Sequence, residues 1–252
     1  MGSNYAHKVT YSLDVVFCID STMSMQYMIG EVTQNALHFY DDLAREMESM
    51  GKCVDKVRVK IISFRDYNHD MDRSMESTRF FELPEEKEKF ERAMKSITVF
   101  GGGDDAESSL EALAYAIRSD WRATTDRYRQ VIVLWTDDEP HPFNDRSYQR
   151  NIYSSLPNND PARYYPSHEL PRDLSELCDW WEDPDLGYID QTGKRLLLFS
   201  PLQVEGTSGS RASYAWGEIR DWSNVIHRNV SSTGSLQELD YDIVVKTVSK
   251  SV

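Results

Sequence analysis

Two hydrophobic periods alternate along the chain. Leu13-Asp14-Val15-Val16-Phe17-Cys18-Ile19 is an apolar, β-favouring run that ends at Asp20. Met25, Met28, Ile29, Val32, Ala36, Phe39, Leu43 and Met47 then recur mostly at steps of three and four, which predicts an amphipathic helix of roughly six turns stopped near Gly51. Val57 to Phe64 predicts a second strand, and Phe80–Leu83 a short third one at an edge. Pro84 opens a helix with Phe90, Ala93, Met94 and Ile97 on its apolar face. After a turn at Gly101–Gly103, Leu110, Leu113, Ala114 and Ile117 predict another helix. Val131–Trp135 is the most continuous β run, as expected of a strand buried on both faces, and Leu196–Phe199 is the next. Trp216, Ile219, Trp222 and Ile226 read as one later helix, and Leu239–Val248 as a closing one.

Strands alternating with helices imply parallel βαβ units. The expected fold class is therefore α/β: a doubly wound, mostly parallel Rossmann-like sheet flanked by helices, with one antiparallel edge strand. Residues 1–252 read as a single domain. The exception to the regular spacing is a stretch rich in Pro, Asn, Asp, Arg and Tyr, read as an insertion at about 139–190.

Composition narrows the function. The formal charge of −14 disfavours binding to phosphate backbones and leaves cations or a basic partner. No apolar run approaches the ~20 residues of a membrane helix, so no membrane partner is expected. Cys18, Cys53 and Cys178 form no paired motif, and the N-terminus lacks a signal core, so the expected location is cytoplasmic.

In open α/β sheets ligands bind beyond the carboxyl ends of the parallel strands. The first strand ends in Asp20-Ser21-Thr22-Met23-Ser24, the central one in Thr136-Asp137-Asp138, and the glycine turn runs into Asp104-Asp105-Ala106-Glu107. Asp20, Thr22, Ser24, Asp104 and Asp137 are thus candidate ligands converging on one sheet edge. Such hard oxygen donors call for Mg2+, with Ca2+ or Mn2+ as alternatives. The same acidic cluster would also serve a Mg-dependent phosphohydrolase or nuclease. Against these, Thr22 stands where phosphatases with an Asp nucleophile carry their acid, and the net charge opposes a nuclease groove.

Asp20-x-Thr22-x-Ser24 after a buried strand resembles the DxSxS or DxTxS signature of von Willebrand factor A domains. Gly101–Glu107 is similar to the GGGDxxE variant of intracellular members, and Thr136-Asp137 matches the family's aspartate at the end of the fourth strand. The resemblance implies a metal-ion-dependent adhesion site and a non-catalytic, metal-dependent protein-interaction module. It further implies an adaptor or subunit role in a larger assembly, such as one built on an AAA+ ATPase. Asp104 replaces the threonine usual in extracellular members. Three carboxylates around a divalent ion would make it less electrophilic and less dependent on an acidic residue of the partner.

Several residues carry plainer readings. Glu107 reads as a helix cap or support for the site, Arg65-Asp66 as a salt bridge, and His69 and His141 as surface or rim residues. Within the insertion, Arg163, Tyr164 and Tyr165 are the candidate partner rim, since Arg and Tyr are enriched in interface hot spots.

Overall fold

The structure, a computed structural model, describes residues 11–52, 55–103, 106–122, 125, 127–143, 166, 168–206, 209–230, 245, 246 and 249. The strands of its main sheet are β1 (Tyr11–Asp20), β2 (Lys56–Phe64), β3 (Met75–Ser77), β4 (Phe81–Leu83), β6 (Arg127–Trp135), β8 (Lys194–Ser200) and β11 (Val225–Asn229). Their order is β11-β8-β6-β1-β2-β3, with β4 also paired to β2. Within this sheet every pairing is parallel except those of β3 and β4 with β2, so the antiparallel edge consists of two short pieces, while β9 (Gln203–Gly206) and β10 (Gly209–Ala212) pair antiparallel apart from it.

Alternation along β1 divides the core. Leu13, Val15, Phe17 and Ile19 point to one face, where α1 (Ile29–Ser49) lays down Val32, Ala36, Phe39, Leu43 and Met47 and α2 (Lys87–Lys95) adds Phe90 and Met94. Val16 and Cys18 point to the other. There they meet α3 (Ser109–Ile117), α4 (Leu174–Glu182) and α5 (Tyr214–Arg220). The result is the three-layer sandwich expected of parallel units.

The differences from the sequence reading have local causes. The first helix begins at Ile29, not Met25, because Met23–Tyr27 winds as a 3-10 helix, with Met25 N–H donating to Thr22 O at 3.1 Å and Met28 N–H to Met25 O at 2.8 Å. The helix expected from Trp216 to Ile226 stops at Arg220, and Ile226 belongs to β11. Asn224, at φ +58°, turns the chain there, and its carbonyl accepts from Leu196 N–H at 3.0 Å, which starts the β11–β8 pairing. The stretch read as an insertion contains a regular helix, α4, whose Leu177 and Trp181 are fully buried. Of the closing helix expected at Leu239–Val248, only Val245 and Lys246 are described, and both are helical.

Candidate metal centre

β1 and β6 lie side by side, with Ile19 opposite Trp135. The loops leaving them therefore start next to each other at the carboxyl end of the sheet. The first is pinned on its far side: Ser21 N–H donates to Phe64 O at 2.9 Å, and Ser21 Oγ lies 2.8 Å from Ser63 Oγ. That fixes the alternation, so Asp20 and Thr22 face β6. Thr22 Oγ1–H donates to Asp20 Oδ1 at 2.6 Å, and Thr22 N–H to the same oxygen at 3.0 Å. Thr22 Oγ1 is 3.0 Å from Ser24 Oγ, and Ser24 Oγ–H donates to Asp137 Oδ1 at 3.0 Å. From β6, Thr136 Oγ1–H donates to Asp20 Oδ2 at 2.8 Å. Four of the five candidate ligands thus form one arc of oxygens, Asp20–Thr22–Ser24–Asp137. The fifth, Asp104, lies outside the described residues, as do Arg163, Tyr164 and Tyr165.

Asp20, Thr22 and Asp137 are buried, while Ser24 is exposed and opens the arc to solvent. Burial raises the Asp20 carboxyl above its ordinary range and the charge of Asp137 adds to this, while burial also raises Asp137. Among the described residues neither carboxylate has an ion pair with Lys or Arg. No three His, Cys, Asp or Glu of the described residues converge as a metal cage either, so the donor set there is two carboxylates plus hydroxyls. Hard oxygens and two close buried carboxylates, offset among the described residues only by the non-contacting charge of Arg65, fit Mg2+ or Ca2+ and do not fit a soft metal.

The glycine turn closes the third side. Phe100 N–H donates to Ser21 O at 3.1 Å and Met23 N–H to Gly101 O at 3.3 Å, so this turn is bonded directly to the Asp20–Ser24 loop. A Cβ on Gly102 would sit 2.9 Å from Glu107 Oε1 and 3.3 Å from Thr22 Cβ, and one on Gly103 would fall within the His69 ring. Gly101 and Gly102 also hold φ near +70°. Beyond the turn, β5 (Ala106–Glu107) pairs in parallel with β7 (Glu139–Pro140), joining the glycine segment to the chain that follows Asp137.

Sequence reasoning missed three features. Thr136 holds Asp20 and was legible only as the neighbour of Asp137. Arg65 does make the expected salt bridge, but the sequence did not signal that it is fully buried and mainly donates to the carbonyls of Arg73 and Thr98, each at 2.7 Å, with its guanidinium 3.9 Å from the Phe100 ring centroid. Its nearest carboxylate contact is the half-exposed Glu76 at 3.9 Å. It is thus the strut under the glycine turn. His69 and His141 are not surface residues: their side chains are 11% exposed and flank the buried Asp66 carboxylate at 3.5 and 3.6 Å. Nothing in the spacing of residues 66, 69 and 141 signals that meeting.

A family model for the von Willebrand factor type A domain matches residues 14–154. The chain belongs to the von Willebrand factor type A domain family. Members of this family generally act as protein-interaction modules. Among solved structures, the pilus adhesin SpaC from Lactobacillus rhamnosus GG in its open conformation is similar, with a TM-score of 0.59 and 14% identity. That likeness covers 96% of this chain and 30% of the adhesin chain. A second structure of the adhesin gives a TM-score of 0.56 at 12% identity, covering 96% and 31%. This von Willebrand A chain therefore spans about a third of the adhesin's length, and the likeness concerns the fold alone. No curated protein matches the sequence. Among the described residues of the domain, no helix is long and apolar enough to cross a membrane.

Proposed function

We propose that this von Willebrand A domain is a metal-dependent protein-interaction module. In this reading Asp20, Thr22, Ser24 and Asp137, with Asp104, hold Mg2+, and Ca2+ or Mn2+ are the alternatives. The observation that carries it is the oxygen arc from Asp20 to Asp137, with two buried carboxylates raised by burial and no cationic side chain among the described residues paired to either. A bound divalent ion would supply a Lewis-acidic point able to take an oxygen ligand from another protein. The chain's own part is to hold the ligands in register: Thr22 and Thr136 orient Asp20, and Ser24 orients Asp137. Arg163, Tyr164 and Tyr165 remain the proposed rim that selects the partner, acting as adaptor surface in a cytoplasmic assembly.

Thermal melts in EDTA and in Mg2+ test the metal. At a free ion concentration of 100 times the dissociation constant, linkage gives about 2.7 kcal/mol of added stability. Asp20→Ala should abolish the difference while leaving a cooperatively folded protein. Capture of binding proteins should be lost with chelator, restored by Mg2+, and absent in the Asp20→Ala variant. Identical melts with and without metal overturn the metal reading, and chelator-insensitive capture overturns the metal-dependent interaction.

A further inference from the structure

We propose that Arg127, Arg129 and Arg195 form an anion site at the start of the central strands, away from the metal centre, and that it takes a phosphate-type dianion. On β6, residues 127, 129, 131, 133 and 135 share one face by alternation, and the pairing of Val131 with Arg195 puts residues 195, 197 and 199 of β8 on that same face. Val131, Val133, Trp135, Leu197 and Phe199 are core there, on the α1 side. The three arginines continue this face to the edge where the core gives out. Arg129 and Arg195 are diagonal neighbours across adjacent strands, and Arg127 is exposed while the other two are half-buried.

Three guanidinium groups together in a chain of charge −14 ordinarily find carboxylates. Among the described residues, none of these three is in an ion pair. Arg129 Nη1–H donates to Tyr128 O at 2.7 Å, and Arg195 Nη1–H to Lys194 O at 2.5 Å and Thr192 O at 3.3 Å, all backbone carbonyls. Arg129 Nε–H is buried with no hydrogen-bond partner. Burial lowers Arg129 from its ordinary range, the charges of Arg195 and Arg127 lower it further, and burial alone does the same to Arg195. The carboxylate that acts on Arg129 is Asp190, and its Oδ1 already accepts from Thr192 N–H, Thr192 Oγ1–H and Gly193 N–H at 2.9, 2.7 and 2.6 Å. Repelling, partly desolvated cations are stabilised by a counter-ion with several oxygens, and planar guanidinium forks match phosphate geometry. At physiological salt the Debye length of about 8 Å keeps the acidic remainder of the surface from cancelling that attraction.

The full chain is titrated by calorimetry with inorganic phosphate and pyrophosphate in chloride buffer. Saturable binding is expected, at least tenfold weaker in the Arg129→Gln/Arg195→Gln variant and unchanged in Arg228→Gln, a control at an exposed position of β11. Phosphate should raise the melting temperature of the wild type only, and without phosphate the double variant should melt no lower than wild type, because repulsion has been relieved. If the double variant fails to fold, the exposed Arg127→Gln variant carries the comparison, again with weaker phosphate binding expected. Parallel runs with phosphoserine and with phosphatidate against phosphatidylcholine vesicles identify whether the phosphate is free, on a side chain or on a lipid. Absence of phosphate binding at millimolar concentration, or equal binding by wild type and variants, overturns the site.

Discussion

Gly102 carries two constraints at once. Its φ of +70° strains any L side chain, and a Cβ there would press on Glu107 and on Thr22, a residue of the proposed ligand arc. Gly102→Ala should therefore cost about 1–3 kcal/mol in denaturant melts, the range for backbone strain at a special φ, and should also weaken Mg2+ by disturbing Thr22. A variant with wild-type stability and wild-type metal affinity would mean the turn yields freely. Thr22→Val isolates the hydroxyl. It keeps the volume but removes the bond to Asp20 Oδ1 and the link to Ser24, a loss of about 1.5–3 kcal/mol for a hydrogen bond to a charged group. The rise in melting temperature given by Mg2+ should shrink with it, and an undiminished rise would remove Thr22 from the ligand arc. At this scale the positions of Asp20 and Asp137 were legible in the sequence because one closes a buried strand and the other lies two residues beyond one. The props were not. Arg65 under Phe100, Thr136 on Asp20 and His69 against Gly103 join residues whose meeting depends on how the loops fold back, and no local pattern encodes that.

Strand β8 opens with a fully buried lysine, ahead of the apolar run Leu196–Phe199. Lys194 Nζ donates to Trp181 O and Gln191 Oε1, both at 2.5 Å, and to Glu182 Oε2 at 2.9 Å, tying the end of α4 to the sheet. Lys194→Ala should destabilise by about 1–3 kcal/mol, since it leaves the Trp181 carbonyl and the Gln191 amide oxygen without their donor, while the part-exposed Glu182 is still held by Ser223. Urea unfolding measures it, and a loss below about 1 kcal/mol would show the tie to be dispensable. That helix was itself hidden in the sequence by its polar, proline-rich approach. Its signal was present: Asp173 caps it by accepting from Glu176 N–H at 2.9 Å, and Leu177, Trp180 and Trp181 recur at helical spacing. Strand β11 was hidden for the opposite reason, because Trp216, Ile219, Trp222 and Ile226 imitate a helical stripe although the chain turns at Asn224. Strands β1, β6 and β8 were plain, since burial on both faces writes itself as an unbroken apolar run, and β2 was plain from its β-branched residues at Val57, Val59, Ile61 and Ile62.

For the molecule as a whole, the family match ends at residue 154, but the sheet does not. β8 and β11 complete it, and Leu177, Trp181, Leu196, Leu198, Trp216 and Ile219 fill the face that α3 only begins to cover. A fragment of residues 11–154 should consequently be insoluble or expose its core to a hydrophobic dye, whereas residues 11–230 should unfold cooperatively; a monomeric, cooperatively folded short fragment would contradict this. The same topology has a consequence during synthesis. β1 is made first and lies mid-sheet, yet its neighbour β6 needs β8 on its other edge, and roughly 65 residues separate the end of β6 from the end of β8. At ~5–20 residues per second of translation, that leaves a bare parallel edge on the nascent chain for about 3–13 s. Over that interval the half-built sheet depends on the ribosome and its chaperones, not on its own contacts, to stay apart from its neighbours on the same message.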